Sequence, residues 1–173
     1  MRIVLLGDSH LARVRRDLPV VGQDVRNAAV GGATSLDLLA QADGAMVTQD
    51  DLVVVSVGTN DAAPWKWIPV TTFAQALLGC MESMPARRWV CVAPPGVEES
   101  RLSGSGDRTN AVLDRYREAA GSACVQAGAH LLRTDQVIAP LGADAFAGDG
   151  VHLSGRGYEV VLPAIAEAVR GGA

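Results

Sequence analysis

A serine hydroxyl becomes an effective nucleophile only when a base takes its proton during attack. The first polar turn of this chain, Gly7-Asp8-Ser9-His10, presents such a hydroxyl directly behind a short apolar run. Three histidines are candidate bases: His10, His130 and His152. His10 adjoins Ser9, but neighbouring side chains at a strand-to-helix turn diverge, so it reads as a pocket or surface residue. His130 follows Gly128-Ala129 at the start of an apolar run and reads as structural. His152 stands three residues after Asp149. At that spacing a carboxylate can hold one ring nitrogen and leave the other free to accept the serine proton. Spacing alone leaves a second reading open, in which Asp149-x-x-His152 is only a turn at a helix entry.

Hydrolysis through a serine also needs donors aimed at the oxygen that becomes negative. Three are available. The Ser9 backbone N–H opens a predicted helix, whose positive end favours negative charge. Gly32 has no side chain and can present its N–H at close range, and spacing from Asn27 favours it over Gly31. Asn60, in Gly58-Thr59-Asn60-Asp61, supplies a neutral amide. Ordinary turn geometry also accounts for Gly32 and Gly58, and a self-bonded Asx turn for Asn60. Trp65, Trp67 and Ile68 follow Asn60 closely. They either wall an acyl or aromatic pocket or pack onto the body of the protein.

These residues need a frame. Ile3–Leu6, Val25–Val30, Leu52–Val57, Trp89–Ala93 and Ala129–Leu132 are continuous apolar runs of the kind found in buried parallel strands. Between them lie helical stretches. Residues 71–84 align Phe73, Leu77, Cys80, Met81 and Met84; residues 108–127 align Val112, Tyr116, Ala119, Ala120 and Ala123. A last helix is capped by Ser154 and carries Tyr158, Val161, Leu162, Ile165 and Val169 on one stripe, with a kink or a broken ladder expected at Pro163. Arg13, Arg15 and Arg16 fall on the wet face of a short helix. The alternation predicts an α/β fold, a three-layer α/β/α sandwich. Its five-stranded parallel sheet has order 2-1-3-4-5, as in flavodoxin-like domains. Ligands in such sheets bind beyond the carboxyl ends of the strands, where strand order reverses. That rule gathers the turns after strands 1, 2 and 3 on one rim, and the loop holding Asp149-Gly150-Val151-His152 can fold back over it. The long irregular stretches 60–70 and 94–107 are candidates for functional loops.

Taken together, Ser9 in a Gly-Asp-Ser turn, Gly32, Asn60 in a Gly-x-Asn-Asp turn and His152 in Asp-x-x-His resemble the signature of the SGNH hydrolases, the GDSL-type esterases and lipases. Each motif alone is weak, but the four occur in the family's order, and the resemblance spans essentially the whole chain. It implies a Ser9–His152–Asp149 triad, an oxyanion hole from the Ser9 and Gly32 amides and the Asn60 side chain, and metal-free hydrolysis through an acyl-enzyme. His10 stands where many members carry leucine, at a position that varies.

Composition narrows the remaining classes. The 173 residues suit one domain, residues 1–173, with 49% hydrophobic and 20% charged residues. A formal charge of −4 gives no basic footprint for a nucleic-acid partner. No apolar run reaches the roughly 18 residues a membrane span requires. No signal peptide is visible, which points to the cytoplasm. Cys80, Cys91 and Cys124 are odd in number, lack CxxC spacing, and suit reduced, buried thiols rather than a metal site. No GxGxxG, GxxxxGK[ST] or GxSxG element occurs. The expectation is a cofactor-free, metal-free esterase acting on a small soluble ester with a short acyl or acetyl group; His10, Trp65 and Trp67 are candidate pocket residues. The alternative is a non-catalytic module binding a carbohydrate or an anion on the same fold. Nothing in the chain sets the oligomeric state.

Overall fold

A computed structural model describes residues 1–104 and 107–171, so two residues of the expected loop 94–107 lie outside the described residues. Five parallel strands, β1 (Ile3–Gly7), β2 (Val25–Asn27), β3 (Leu52–Ser56), β4 (Arg88–Val92) and β5 (His130–Leu132), form one sheet of order β2-β1-β3-β4-β5. This is the expected order. Every residue of β1 and β3 is buried, as is all of β4 beyond Arg88, because helices cover both faces. The edge strands β2 and β5 are shorter than expected and only half-buried or exposed. Each has a strand on one side only. After Asn27 the segment bends: Asn27 Oδ1 takes the Ala29 N–H at 3.1 Å, while Asn27 Nδ2 donates to the Leu11 and Val14 carbonyls at 2.8 and 2.9 Å.

The pleat divides the apolar residues between two cores. Val4, Leu6, Val53, Val55 and Cys91 point to one face, under α3 (Leu38–Gly44), α4 (Val70–Ser83) and α5 (Asn110–Ala127). Ile3, Leu5, Leu52, Val54, Val90 and Val92 point to the other. There they meet α1 (Ser9–Ala12), α2 (Leu18–Val21), α6 (Thr134–Ile138) and α7 (Gly155–Arg170). Phe73 of α4 and Tyr116 of α5 meet edge to face, centroids 5.2 Å apart. The buried stripe of α5 is rotated from the expected one: Leu113, Tyr116, Arg117, Ala120, Ala123 and Cys124 are buried, and Val112 and Ala119 only partly. The α7 helix continues through Pro163, with the ladder locally broken there as expected, because proline has no N–H to give the Glu159 carbonyl. Pro163 and Glu159 are both exposed, so the carbonyl that proline cannot satisfy faces water.

The end of β1 is held from two sides. Gly7 has φ +123°, and a Cβ there would sit 1.9 Å from the Ser56 carbonyl oxygen of β3. Only glycine fits. Gln41 of α3 clasps the same residue, accepting from the Gly7 N–H at 2.6 Å and donating to its carbonyl at 2.9 Å. Gln41→Ala should therefore leave the Gly7 N–H unmatched, while the Gly7 carbonyl keeps the Val30 N–H at 2.9 Å, and lower stability by about 1–3 kcal/mol. Chemical denaturation of the variant measures this, and an unchanged midpoint would show that the clasp carries no weight.

Candidate active site

Three polar turns lie on the carboxyl rim, at the reversal of strand order between β1 and β3. Asp8 caps α1 by accepting from the His10 N–H at 2.9 Å, which starts the helix at Ser9 and leaves the Ser9 side chain half-buried at the rim. The loop after β2 brings Gly32, and the loop after β3 brings Asn60. A fourth segment reaches over them from between α6 and α7. It is a hairpin-like loop closed by the Phe146–Leu153 bridge and by Ala147 N–H donating to His152 O at 2.7 Å. Glu98 N–H to Gly150 O at 2.7 Å and Arg101 Nη1 to Phe146 O at 2.8 Å anchor it to the segment after β4.

This loop carries the expected base. His152 Nε2 lies 3.0 Å from Ser9 Oγ, and His152 Nδ1 lies 2.6 Å from Asp149 Oδ2. The other Asp149 oxygen accepts the Val151 and His152 N–H groups, both at 2.9 Å. Desolvation would raise the Asp149 pKa, but the His152 ring and these two amides overcome it and hold the carboxyl well below the usual range. Asp149 is therefore an anion across the physiological range. The bland reading of Asp149-x-x-His152 is only half of what the segment does: it is a turn, and it also aims an imidazole at a hydroxyl.

Gly32 and Asn60 line the same cleft, of about 600 Å³, with Ser9, His152, Arg13 and Arg15. Gly32 adopts φ +82°, and its carbonyl accepts from Lys66, leaving its N–H without an acceptor among the described residues. Asn60 Nδ2 does not close an Asx turn. It donates to the Ala33 carbonyl at 2.9 Å and so joins the loops after β2 and β3, with its second amide hydrogen available to the cleft. The arrangement can deprotonate a hydroxyl and offer backbone and amide donors to a developing oxyanion.

Three expected pocket residues are elsewhere. His10 is 4% exposed and turns inward, between Leu11, Val14 and the α7 residues Tyr158 and Val161, because Ser9 and His10 point to opposite sides of α1. Its ring centroid is 6.0 Å from that of His152, yet it does not line the cleft. Trp65 and Trp67 are each 65% exposed, and neither reaches the cleft. Arg108 stacks on Trp65, 4.9 Å from the ring centroid, while Trp67 borders a separate hollow beside Ala62, Pro64 and Val112. His130 lies at the opposite, amino end of β5, consistent with a structural role.

The sequence reading passed over several residues that shape the rim. Asp61, buried, accepts the Ser35 and Gly58 N–H groups at 2.9 and 3.0 Å and so locks the same two loops as Asn60; burial raises its pKa. Its signal was present, one residue beyond Asn60. Lys66, the only lysine in the chain, braces Gly32. Arg13, Arg15 and Arg16 are exposed, as a wet face requires, although α1 ends at Ala12, and Arg13 and Arg15 also line the cleft.

Beneath the rim lie two buried groups with opposite tendencies. Burial pushes Asp8 up to about 7, and the neighbouring Asp61 charge adds to this against the His10 N–H. Burial pushes His10 down to about 3, helped by the nearby His152 and Arg13 charges. A carboxyl with a raised folded pKa stabilises at low pH, and that contribution fades as pH rises from about 4 to about 7. A histidine with a depressed folded pKa stabilises at neutral pH, and its contribution fades as pH falls from about 6.5 toward 3. In denaturation series between pH 4 and 7, Asp8→Asn should gain on the parent as pH rises, whereas His10→Leu should gain as pH falls. Parallel profiles for both variants would refute the assignment.

A family model for the GDSL-like lipase/acylhydrolase family matches residues 6–160. No curated protein matches the chain. Among solved structures, a lipase/acylhydrolase from Enterococcus faecalis superposes with a TM-score of 0.79 at 22% identity, covering 99% of this chain and 96% of that one. A G-D-S-L family lipolytic protein from Veillonella parvula gives 0.77 at 16% identity, with full coverage of both chains. A variant of an acetyl xylan esterase from Geobacillus stearothermophilus gives 0.73 at 18% identity, covering 97% and 94%. These likenesses carry the fold, and the family match spans all four signature residues: the chain belongs to the GDSL-like lipase/acylhydrolase family.

Proposed function

We propose that this chain is a serine esterase that cleaves small, soluble carboxylic esters through an acyl-serine intermediate. The observation that carries the reading is the alignment of Ser9 Oγ, His152 and Asp149, with contacts of 3.0 and 2.6 Å. His152 Nε2 takes the Ser9 proton as Oγ adds to the ester carbonyl. Asp149 holds the tautomer and balances the imidazolium. The oxyanion sits against the Ser9 and Gly32 N–H groups and the Asn60 amide. When the tetrahedral intermediate collapses, the carbon–oxygen bond to the alcohol breaks, and His152 returns the proton to the leaving oxygen. Water then adds to the acyl-serine with His152 again as base, releasing the acid and restoring Ser9.

The low aromatic content of the chain, 4%, favours short acyl or acetyl esters over aggregated lipid. No helix among the described residues is long and apolar enough to cross a membrane.

On p-nitrophenyl acetate and butyrate, Ser9→Ala should reduce turnover to a residual level without loss of fold. Asn60→Ala should lower kcat about 10²- to 10³-fold. Asp149→Asn should impair kcat more than KM. A serine-directed phosphonate should label Ser9; a folded protein that neither reacts with the phosphonate nor turns over any ester would instead be the carbohydrate- or anion-binding module.

A further inference from the structure

The charge of the cleft restricts the ester it takes. Ser9 starts α1, and Arg13, four residues on, closes it on the same side with its backbone N–H on the Ser9 carbonyl at 3.2 Å. Arg15 follows, its Nε 3.4 Å from the Ala12 carbonyl, with its terminal nitrogens free of that contact. Both side chains are exposed and line the cleft with Ser9 and His152. Among the described residues neither meets a carboxylate. By contrast, Arg2, Arg108, Arg117, Arg133 and Arg156 each pair with an aspartate. Asp149, the acid beside His152, is engaged by that ring and two amides. Two unpaired guanidinium groups therefore border the nucleophile in a chain whose formal charge is −4.

We infer that the substrate is an ester carrying a negatively charged group in its acyl or alcohol part, which Arg13 and Arg15 bind while Ser9 attacks. The inference rests on the esterase reading and names its substrate class. Guanidinium offers forked donors that match a carboxylate or phosphate, and it stays charged at any working pH. Held in this way, the anion adds binding energy within one short helix of the reacting carbonyl.

Two substrate pairs locate the charge. For the alcohol side, 4-acetoxybenzoate is compared with its methyl ester; for the acyl side, p-nitrophenyl hydrogen adipate is compared with its methyl-capped diester. Each kcat/KM is divided by the uncatalysed rate of that ester. In one pair the anion should be preferred roughly tenfold, the size expected of two solvent-screened ion pairs. The preference should shrink as salt rises from 20 to 500 mM on the order expected from screening. Arg13→Gln/Arg15→Gln should abolish it, and Arg13→Lys/Arg15→Lys should retain most of it, which a packing role would not do. Ser9-dependent cleavage with no anion preference in either pair, or a preference unchanged in the double glutamine variant, overturns this inference alone. Absence of Ser9-dependent cleavage of all four esters overturns the esterase reading with it.

Discussion

The contact between Ser9 and His152 joins residues 143 positions apart. A hydrogen bond tolerates errors of only a few tenths of an ångström, and misplacement of about 1 Å in a catalytic group costs up to 10²-fold in rate. Much of the rim can be understood as a means of holding this one distance. On the nucleophile's side the constraint is backbone: the Gly7 approach to Ser56, the Gln41 clasp and the Asp8 cap fix where the helix begins. On the histidine's side it is a loop tied to the chain after β4 through Gly150 and Phe146. Tyr158 of α7 closes the circuit by donating to the His10 carbonyl at 2.9 Å, so the helix that follows His152 is fastened to the helix that carries Ser9.

Holding the rim costs stability. Asp8 and Asp61 are fully buried acids close enough for each to feel the other's charge, and each exists to receive backbone N–H groups from a rim turn. A buried carboxylate with two good donors is tolerable, whereas one with an unused oxygen, as at Asp8, is not stabilising in itself. Apolar residues at either position would suit the core better and would let the turns drift. The balance is the usual one at functional sites, where local stability is given up for geometry.

Much of this was legible in the sequence. Apolar runs on β1, β3 and β4 revealed the buried strands, and their alternation with helices implied the sheet order. The four signature residues converge at a single cleft because the topology brings the strand ends together. What escaped were features without periodicity. Edge strand β2 ends early because pairing on one side only and the Asn27 side-chain bonds turn the chain there, and β5 begins one residue late. A four-residue α1 is too short for a hydrophobic pattern to say that His10 faces inward or that Arg13 turns toward Ser9. Trp65 and Trp67 were read for their size, yet their rings stay exposed, Trp65 under the Arg108 guanidinium, and it is Lys66 between them that reaches the rim at Gly32.

The placement of charge follows from the same short helix. With a net charge of −4, the molecule as a whole repels anions at long range. At physiological ionic strength, however, the screening length is about 8 Å, so a ligand entering the cleft responds to the groups that line it rather than to the distant acids. The charged side chains among them are Arg13 and Arg15. Arg2, Arg108, Arg117, Arg133 and Arg156 pair with aspartates, whereas the two arginines that line the cleft, Arg13 and Arg15, do not. Arg13, one helical turn beyond Ser9, stays on the serine's side of α1, and Arg15 lines the same cleft just past the helix end. Local helix length thus links the cap at Asp8, the aim of Ser9 and the sign of the field that an incoming ester meets.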